Sequence, residues 1–366
     1  MKKTKVLFIW HAAVVETYQK YIAELAEHAD LDITLLMPPG NIEGSRYVKA
    51  FIPKNAKYKI MIGRLFQGQD MLMAIYPALP YFLWKAKPDI LHMFEEPWHN
   101  LAAYMNFWIS LICPKAKYIF QTFQNQIKDY RKPWIKIQNK TFAKSSAAIA
   151  CAEEMKTVLL HWGYTKPIYV IYPGIETRLF SPQSTTELRN KLGLKEFTIG
   201  YFGRMLKEKG IEDLIAASNQ LNFPHQLLFI GNGKDKEYFK TLTKKAVWIE
   251  AADPNEIAKY YSALDIFVLP SRTTKNWKEQ FGRVLVESML CGTVPIGSSS
   301  GEISNIIGEA GLIFQEQNIK DLAEKISMLY NNSALRKELQ EKGLKRGKLF
   351  DWKITADKTY EAYKNL

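Results

Sequence analysis

Two glutamates eight positions apart, Glu279 and Glu287 in the run EQFGRVLVE, are the side chains here whose spacing points most directly to chemistry. A strand-like run, DIFVLP (Asp265–Pro270), precedes them; the helix-like run Arg283–Cys291 follows and stops at Gly292. The first carboxylate is therefore expected on a loop above a strand end, and the second two turns later on a helix. Open α/β sheets bind ligands at that edge. An isolated pair of glutamates means little, since most are solvated surface charges; this one becomes informative through a second unit that carries matching basic residues.

A second strand–loop–helix unit lies earlier, in YFGRMLKEKGIEDLIAA (Tyr201–Ala217). Its strand ends at Gly203, Arg204 and Lys209 bracket a short loop, and a helix opens near Gly210 with Ile211, Leu214 and Ile215 toward the core. The free N–H groups and dipole of a helix start favour an anion. The arginine fork and the lysine ammonium both match phosphate oxygens. The competing reading makes Arg204 and Lys209 solvated loop charges partnered by Glu208, Glu212 and Asp213, and Glu287 a charge flanking the buried face of its helix. GNGK (Gly231–Lys234) is another glycine turn after a strand. The absence of GxxxxGK[ST], and of GxGxxG after a strand, argues against a P-loop enzyme or a dinucleotide oxidoreductase.

These side chains need a scaffold, and the apolar pattern supplies one. Strand-like runs (Lys5–Trp10, Leu31–Pro38, Pro88–Phe94, Ala116–Phe123, Ser146–Ala152, Ile168–Gly174) alternate with helical ones (Tyr18–His28, Met71–Trp84 interrupted by Pro77 and Pro80, Leu101–Cys113, Trp134–Ala143, Ala152–Trp162). Such alternation implies a parallel sheet covered on both faces. After a Pro/Gly/Ser-containing segment at Pro173–Gln183 a new series begins, with strands at Phe197–Gly203, Gln226–Gly233, Val247–Ala251, Asp265–Pro270, Thr293–Ser299 and Gly311–Phe314. Two doubly wound domains in series are expected, 1–173 and 174–349, facing a cleft, with the last helix (350–366) free to pack back on the first. A length of 366 residues and 47% hydrophobic content fit two such cores.

Cys113, Cys151 and Cys291 offer neither a disulfide framework nor metal-ligand spacing, which suits a reducing cytoplasm. The opening MKKTKVLFIWH lacks the longer apolar core of a signal peptide. The longest apolar stretches fall short of the roughly 20 residues that a membrane span needs. The net charge of +13 is uneven: eight Lys/Arg face only Asp129 between Ala103 and Lys144, and seven face only Asp70 between Lys49 and Lys87. Tyr81, Phe82, Trp84, Trp98, Phe107, Trp108 and Trp134 are interleaved with them. A basic, aromatic surface suits an anionic partner, either a membrane face or a nucleic acid; a well-solvated lysine surface is the alternative.

GRMLKEKG, GNG, the Glu279/Glu287 pair around FG, and CGTVPIG together resemble the retaining glycosyltransferases of GT-B fold, and among them the large glycogen-synthase-like, nucleotide-sugar-dependent group (family 4 type). The resemblance covers Phe197 to about Tyr330; PDILH, SSAAIACAEEMKTVLLHWGY and VIYPGIETRLFSP are similar to their counterparts in the first half. It implies two Rossmann-like doubly wound α/β domains around a central cleft. It also implies that Arg204 and Lys209 hold the donor diphosphate, that Glu279 binds hydroxyls of the transferred sugar, and that Glu287 accepts from the ribose hydroxyls. Phe281 and Gly282 would offer backbone amides. Gly203, Gly231, Gly233, Gln280 and Arg283 complete the implied donor site.

Three positions depart from the family pattern. HAAVVETY (His11–Tyr18) replaces the usual Gly-Gly, Gln124 stands where a histidine is common, and Glu176 where an aspartate is common. His11, Glu95, Glu96 and Gln124 are the candidates on the acceptor or sugar side. Gln124 can hydrogen-bond a hydroxyl but cannot act as a base, so the family picture has a leaving phosphate oxygen take the acceptor's proton. The expected partners are a nucleotide sugar, a carbohydrate or lipid-linked acceptor and an anionic membrane surface, with no nucleic acid, no separate cofactor and no metal requirement. The rival readings are a nucleotide-sugar epimerase of the same fold, which normally needs acid/base residues in the cleft, and a basic nucleic-acid-binding protein, which leaves the paired strand–loop–helix sites unexplained.

Overall fold

The computed structural model describes residues 2–43, 46–66 and 71–366. They form two compact units, Met1–Gly174 with Trp352–Leu366, and Ile175–Asp351. Asp70, counted above against the lysines of 49–87, lies outside the described residues.

The first unit is built on a parallel sheet of β1 (Thr4–Ile9), β2 (Leu31–Met37), β5 (Lys59–Ile62), β6 (Ile90–Phe94), β7 (Lys117–Thr122), β8 (Ala147–Ala150) and β9 (Ile168–Val170), in the order 5-2-1-6-7-8-9. A small antiparallel pair, β3 (Gly40–Glu43) with β4 (Arg46–Lys49), stands outside it. Helices α1 (Glu16–Leu25), α2 (Leu79–Ala86), α3 (Asn100–Ile112), α4 (Lys132–Lys144) and α5 (Glu153–His161) provide the crossovers. The central strands read as unbroken apolar runs because helices cover both faces, and every residue of β6 is buried. His92 is the polar exception in β6. Its Nδ1 lies 2.6 Å from the Tyr363 hydroxyl, and burial pushes the imidazole down to about 3, so it is neutral.

The chain returns to this unit as α14 (Trp352–Lys364). Trp352 stacks on Tyr21 of α1 at 5.9 Å, and the Tyr21 hydroxyl lies 2.6 Å from Thr359 Oγ1. A Cβ on Gly174 would sit 2.4 Å from the Trp352 ring, which leaves room only for glycine where the chain departs.

The second unit holds β10 (Phe197–Phe202), β11 (His225–Ile230), β12 (Ala246–Ile249), β13 (Ile266–Leu269), β14 (Val294–Ser298) and β15 (Leu312–Phe314), all parallel, in the order 12-11-10-13-14-15. Its helices are α6 (Thr186–Leu192), α7 (Ile211–Ser218), α8 (Lys236–Leu242), α9 (Ile257–Ser262), α10 (Arg283–Leu290), α11 (Ile303–Ile307), α12 (Ile319–Asn331) and α13 (Ser333–Gly347). In both sheets the winding reverses direction once, between β1 and β6 and between β10 and β13. At such a point neighbouring loops diverge above and below the sheet and open a crevice at the carboxyl ends of the strands.

The structure corrects one expectation and adds elements. The Met71–Trp84 run is not one helix. A single 3-10 turn at Met71–Met73 precedes α2, because proline removes a backbone donor and clashes with the preceding turn; Pro80 is accepted only in the first turn of α2. The compact units divide at Gly174/Ile175 and Asp351/Trp352; within the second unit Ile175 N–H donates to Phe350 O, and Phe350 packs on Phe281. Helices α6, α11 and α13, strand β5 and the β3–β4 pair were not foreseen.

Replacing Trp352 with Ala removes a buried ring from the α1–α14 seam. The first unit should lose about 3–5 kcal/mol of stability, read as an earlier unfolding transition in urea.

Candidate functional site

In the second unit the reversal between β10 and β13 gathers the residues singled out by the sequence. The loop after β10 carries Arg204 and a 3-10 turn at Lys207–Lys209; the loop after β13 carries Ser271, Trp277 and Glu279. Lys209 Nζ donates to Glu279 Oε2 at 2.8 Å, Ser271 Oγ donates to the same oxygen at 2.9 Å, and the ammonium lies 4.3 Å from the centre of the Trp277 ring. Both side chains are only 12% exposed. Lys209 is therefore not a solvated loop charge. Arg204 is exposed and forms no ion pair among the described residues, while its backbone oxygen accepts from the Tyr201 hydroxyl at 2.7 Å. One basic group is thus fixed beside a carboxylate, and another is open to an incoming anion.

Glycines make this approach of loops feasible. Gly203 N–H donates to Ile230 O and Gly231 N–H to Ile249 O, which extends the ladder past the strand ends. A Cβ on Gly231 would lie 1.9 Å from Gly203 O, and one on Gly233 would lie 2.3 Å from Met205 O. Gly210, at φ +67°, has Pro270 O 1.9 Å from where a Cβ would be, and this contact ties the start of α7 to the end of β13. The segment bearing Glu279 is itself pinned, since Glu302 N–H donates to Glu279 O at 3.1 Å.

Gly282, at φ +73°, caps α10 and turns the chain into the helix. Phe281 is buried against Phe350, whereas Gln280 is exposed. Two turns on, Glu287 is buried on α10, with Tyr261 OH donating to Oε2 and Arg283 Nε to Oε1, both at 2.8 Å. Burial raises the pKa of this carboxyl; the Arg283 charge and the Tyr261 hydrogen bond oppose the rise. Glu287 is a held acceptor, not a charge at the helix flank.

Three participants escaped the sequence reading. Ser271 opens the polar run after β13, and Tyr261 is the second of two tyrosines in α9. Arg272 forks onto Asp213 at 2.6 and 2.8 Å and reaches Glu212 at 2.9 Å, so the two acids expected beside Lys209 belong to Arg272 instead. The run SRTTKNW directly after a buried strand was the available signal.

The first unit repeats the device at the β1/β6 reversal. His11, two residues past the end of β1, places Nδ1 3.0 Å from Glu95 Oε2; His99, before α3, places Nδ1 2.9 Å from Glu95 Oε1. Burial works to raise the pKa of Glu95, but hydrogen bonds from the two imidazoles and their charge outweigh it and hold the carboxyl at about 2. Its neighbour Glu96 is the opposite case. Burial pushes it up to about 7, against hydrogen bonds from Thr122 Oγ1 at 2.5 Å and Phe123 N–H at 2.8 Å. Gln124 Nε2 donates to Tyr130 OH at 2.7 Å, and the Tyr130 ring stacks on Trp98. Among the described residues no group of three or more His, Cys, Asp or Glu could hold a metal ion.

Residues 184–346 match the family described as Glycosyl transferases group 1. D-inositol 3-phosphate glycosyltransferase 1 of Catenulispora acidiphila is 26% identical over 254 residues, 61% of this chain and 60% of its own. The capsular polysaccharide biosynthesis glycosyltransferase CapM of Staphylococcus aureus is 29% identical over 208 residues, 53% of this chain and 51% of its own. The chain thus spans about half to three-fifths of the length of these curated relatives. Among solved structures, sucrose-phosphate synthase from Thermosynechococcus elongatus superposes with a TM-score of 0.77 at 18% identity over 99% of both chains. Anabaena HepE in complex with UDP gives 0.77 at 17% over 100% of both. These likenesses identify the fold as GT-B.

The raised Glu96 has a consequence for stability. Between about pH 4.5, where a glutamate in the unfolded chain titrates, and about pH 7, the folded state keeps a proton that the unfolded state has lost. Stability from this group therefore falls as pH rises through that window and is level above it. Glu96→Gln should flatten that fall in melting temperature; an unchanged slope would show that Glu96 titrates normally.

Proposed function

From a second unit that carries a glycosyl transferases group 1 domain, in a chain of GT-B fold, we propose that the protein is a retaining glycosyltransferase that takes a sugar from a nucleoside diphosphate donor. The observation that carries this reading is the Lys209–Glu279 pair at the β10/β13 crevice, with the buried Glu287 on the helix that follows. In it, Lys209 and Arg204 stabilise the charge that develops on the leaving diphosphate, which is the largest electrostatic demand of the reaction. Glu279 receives hydroxyls of the transferred sugar, Glu287 receives the ribose hydroxyls, and the amides of Phe281 and Gly282 point the donor into place.

A leaving phosphate oxygen accepts the proton of the attacking hydroxyl, and attack from the same face retains the anomeric configuration. A diphosphate held by two basic side chains needs no metal. HepE, which has the same fold, was solved with UDP and glucose, and this supports a nucleotide donor. CapM is a capsular polysaccharide enzyme, and this supports an acceptor in cell-surface polysaccharide or glycolipid synthesis. The acceptor is a carbohydrate or lipid-linked chain, met by the His11–Glu95–Glu96–Gln124 group of the first unit. The work is cytoplasmic, with the enzyme peripheral on the inner membrane face. No helix among the described residues is long and apolar enough to cross a membrane.

Lys209→Ala should lower kcat/KM by about 10- to 100-fold, the equivalent of roughly 1.5–3 kcal/mol for a charged hydrogen bond. Nucleoside diphosphate release against a panel of nucleotide sugars measures it, and NMR of the product reads the anomeric configuration. Unchanged turnover in the variant, or an inverted product, contradicts the assignment.

A further inference from the structure

Helix α3 is apolar on two opposite sides. Leu101, Ala102, Met105 and Ile109 face the core. Phe107 and Leu111, spaced i, i+4, form the other side and are 53% and 62% exposed, flanked by Tyr104 and Trp108, which are half-buried against the core. A surface helix normally turns a polar face outward. Helix α2 lies beside it: Tyr104 OH donates to Pro77 O at 3.1 Å at one end, and Cys113 Sγ lies 3.7 Å from Leu83 O at the other. Tyr81 and Trp84 of α2 are likewise 52% and 60% exposed. Trp84, Lys87, Ile112 and Lys115 line one shallow depression where the helices meet, together with Asp89, whose carboxylate accepts from the Lys5 N–H. Lys85 Nζ sits 5.6 Å from the Tyr81 ring centre.

We infer that this outer face of α2 and α3, with Tyr81, Trp84, Phe107 and Leu111 ringed by Lys85, Lys87 and Lys115, inserts into the interfacial layer of an anionic lipid bilayer. Amphipathic rings settle at headgroup depth, aliphatic side chains reach the acyl boundary, and lysine is drawn to anionic headgroups. The charge distribution selects this occupant over a second copy of the chain. A two-fold contact of the face with itself would set lysines against lysines. It also continues along the chain, since between Ala103 and Lys144 eight Lys/Arg are offset by Asp129 alone. The inference deepens the reading of a lipid-linked acceptor and rests on it for its purpose, while the binding itself is read without turnover.

The test uses the full chain and co-sedimentation with phosphatidylcholine vesicles, with and without phosphatidylglycerol. Wild-type partition should rise with the anionic fraction and fall with salt. It should drop about tenfold or more both in Tyr81→Ser/Trp84→Ser/Phe107→Ser/Leu111→Ser and in Lys85→Glu/Lys115→Glu. Lipids brominated on the acyl chains should quench wild-type tryptophan fluorescence, less so in Trp84→Phe. Equal wild-type binding to both vesicle types, or serine and lysine variants that bind like wild type, would overturn the inference. So would a dimer that the serine substitutions dissolve in the absence of vesicle binding. A protein that transfers sugar to a soluble acceptor and ignores vesicles sinks this surface alone; one that binds vesicles but accepts no nucleotide sugar sinks only the transfer reading.

Discussion

The Lys209–Glu279 ion pair is the interaction on which the candidate site depends. Taking two opposite charges largely out of water is costly, and mutual attraction offsets that cost only where geometry and extra hydrogen bonds are good. Ser271 donates to the same carboxylate oxygen, and the Trp277 ring lies against the ammonium. The pair also bridges loops that leave two neighbouring strands in opposite senses, so it holds the crevice at a defined width. The glycines follow from it. Gly210 lets the end of β13 approach the start of α7, and Gly231 lets the turns after β10 and β11 touch.

The first unit solves the same topological problem with different chemistry. At its reversal a buried carboxylate, Glu95, lies between two imidazoles, and a second, Glu96, is kept close to neutrality by burial. Adjacent glutamates thus titrate far apart, because one has two imidazole partners and the other has a hydroxyl and an amide. A crevice that places donors and acceptors around a hydroxyl-rich ligand is a natural use of such a pair.

Local features were legible in the sequence. Helix α10 spans Arg283–Leu290, one residue short of the run read from the sequence, because glycines flank it and its apolar spacing is regular. The placing of Glu279 on a loop and Glu287 on the helix followed from the same pattern. What stayed hidden was long-range pairing. Nothing local says that Tyr261 donates to a carboxylate 26 positions away, or that Asp213 answers to Arg272 rather than to Lys209. The outward apolar stripe of α3 was visible only as composition, since the residues that cover its other side come from distant elements.

The most direct test of the central claim is ligand-induced stabilisation of the wild type and of Glu287→Ala across UDP-, GDP-, ADP- and TDP-sugars. A ligand at about 100 times its dissociation constant stabilises by roughly 2.7 kcal/mol. One nucleotide sugar should raise the melting temperature of the wild type and leave that of Glu287→Ala where it was. An equal rise in both proteins would contradict it, because the donor would then be bound without the carboxylate assigned to its ribose.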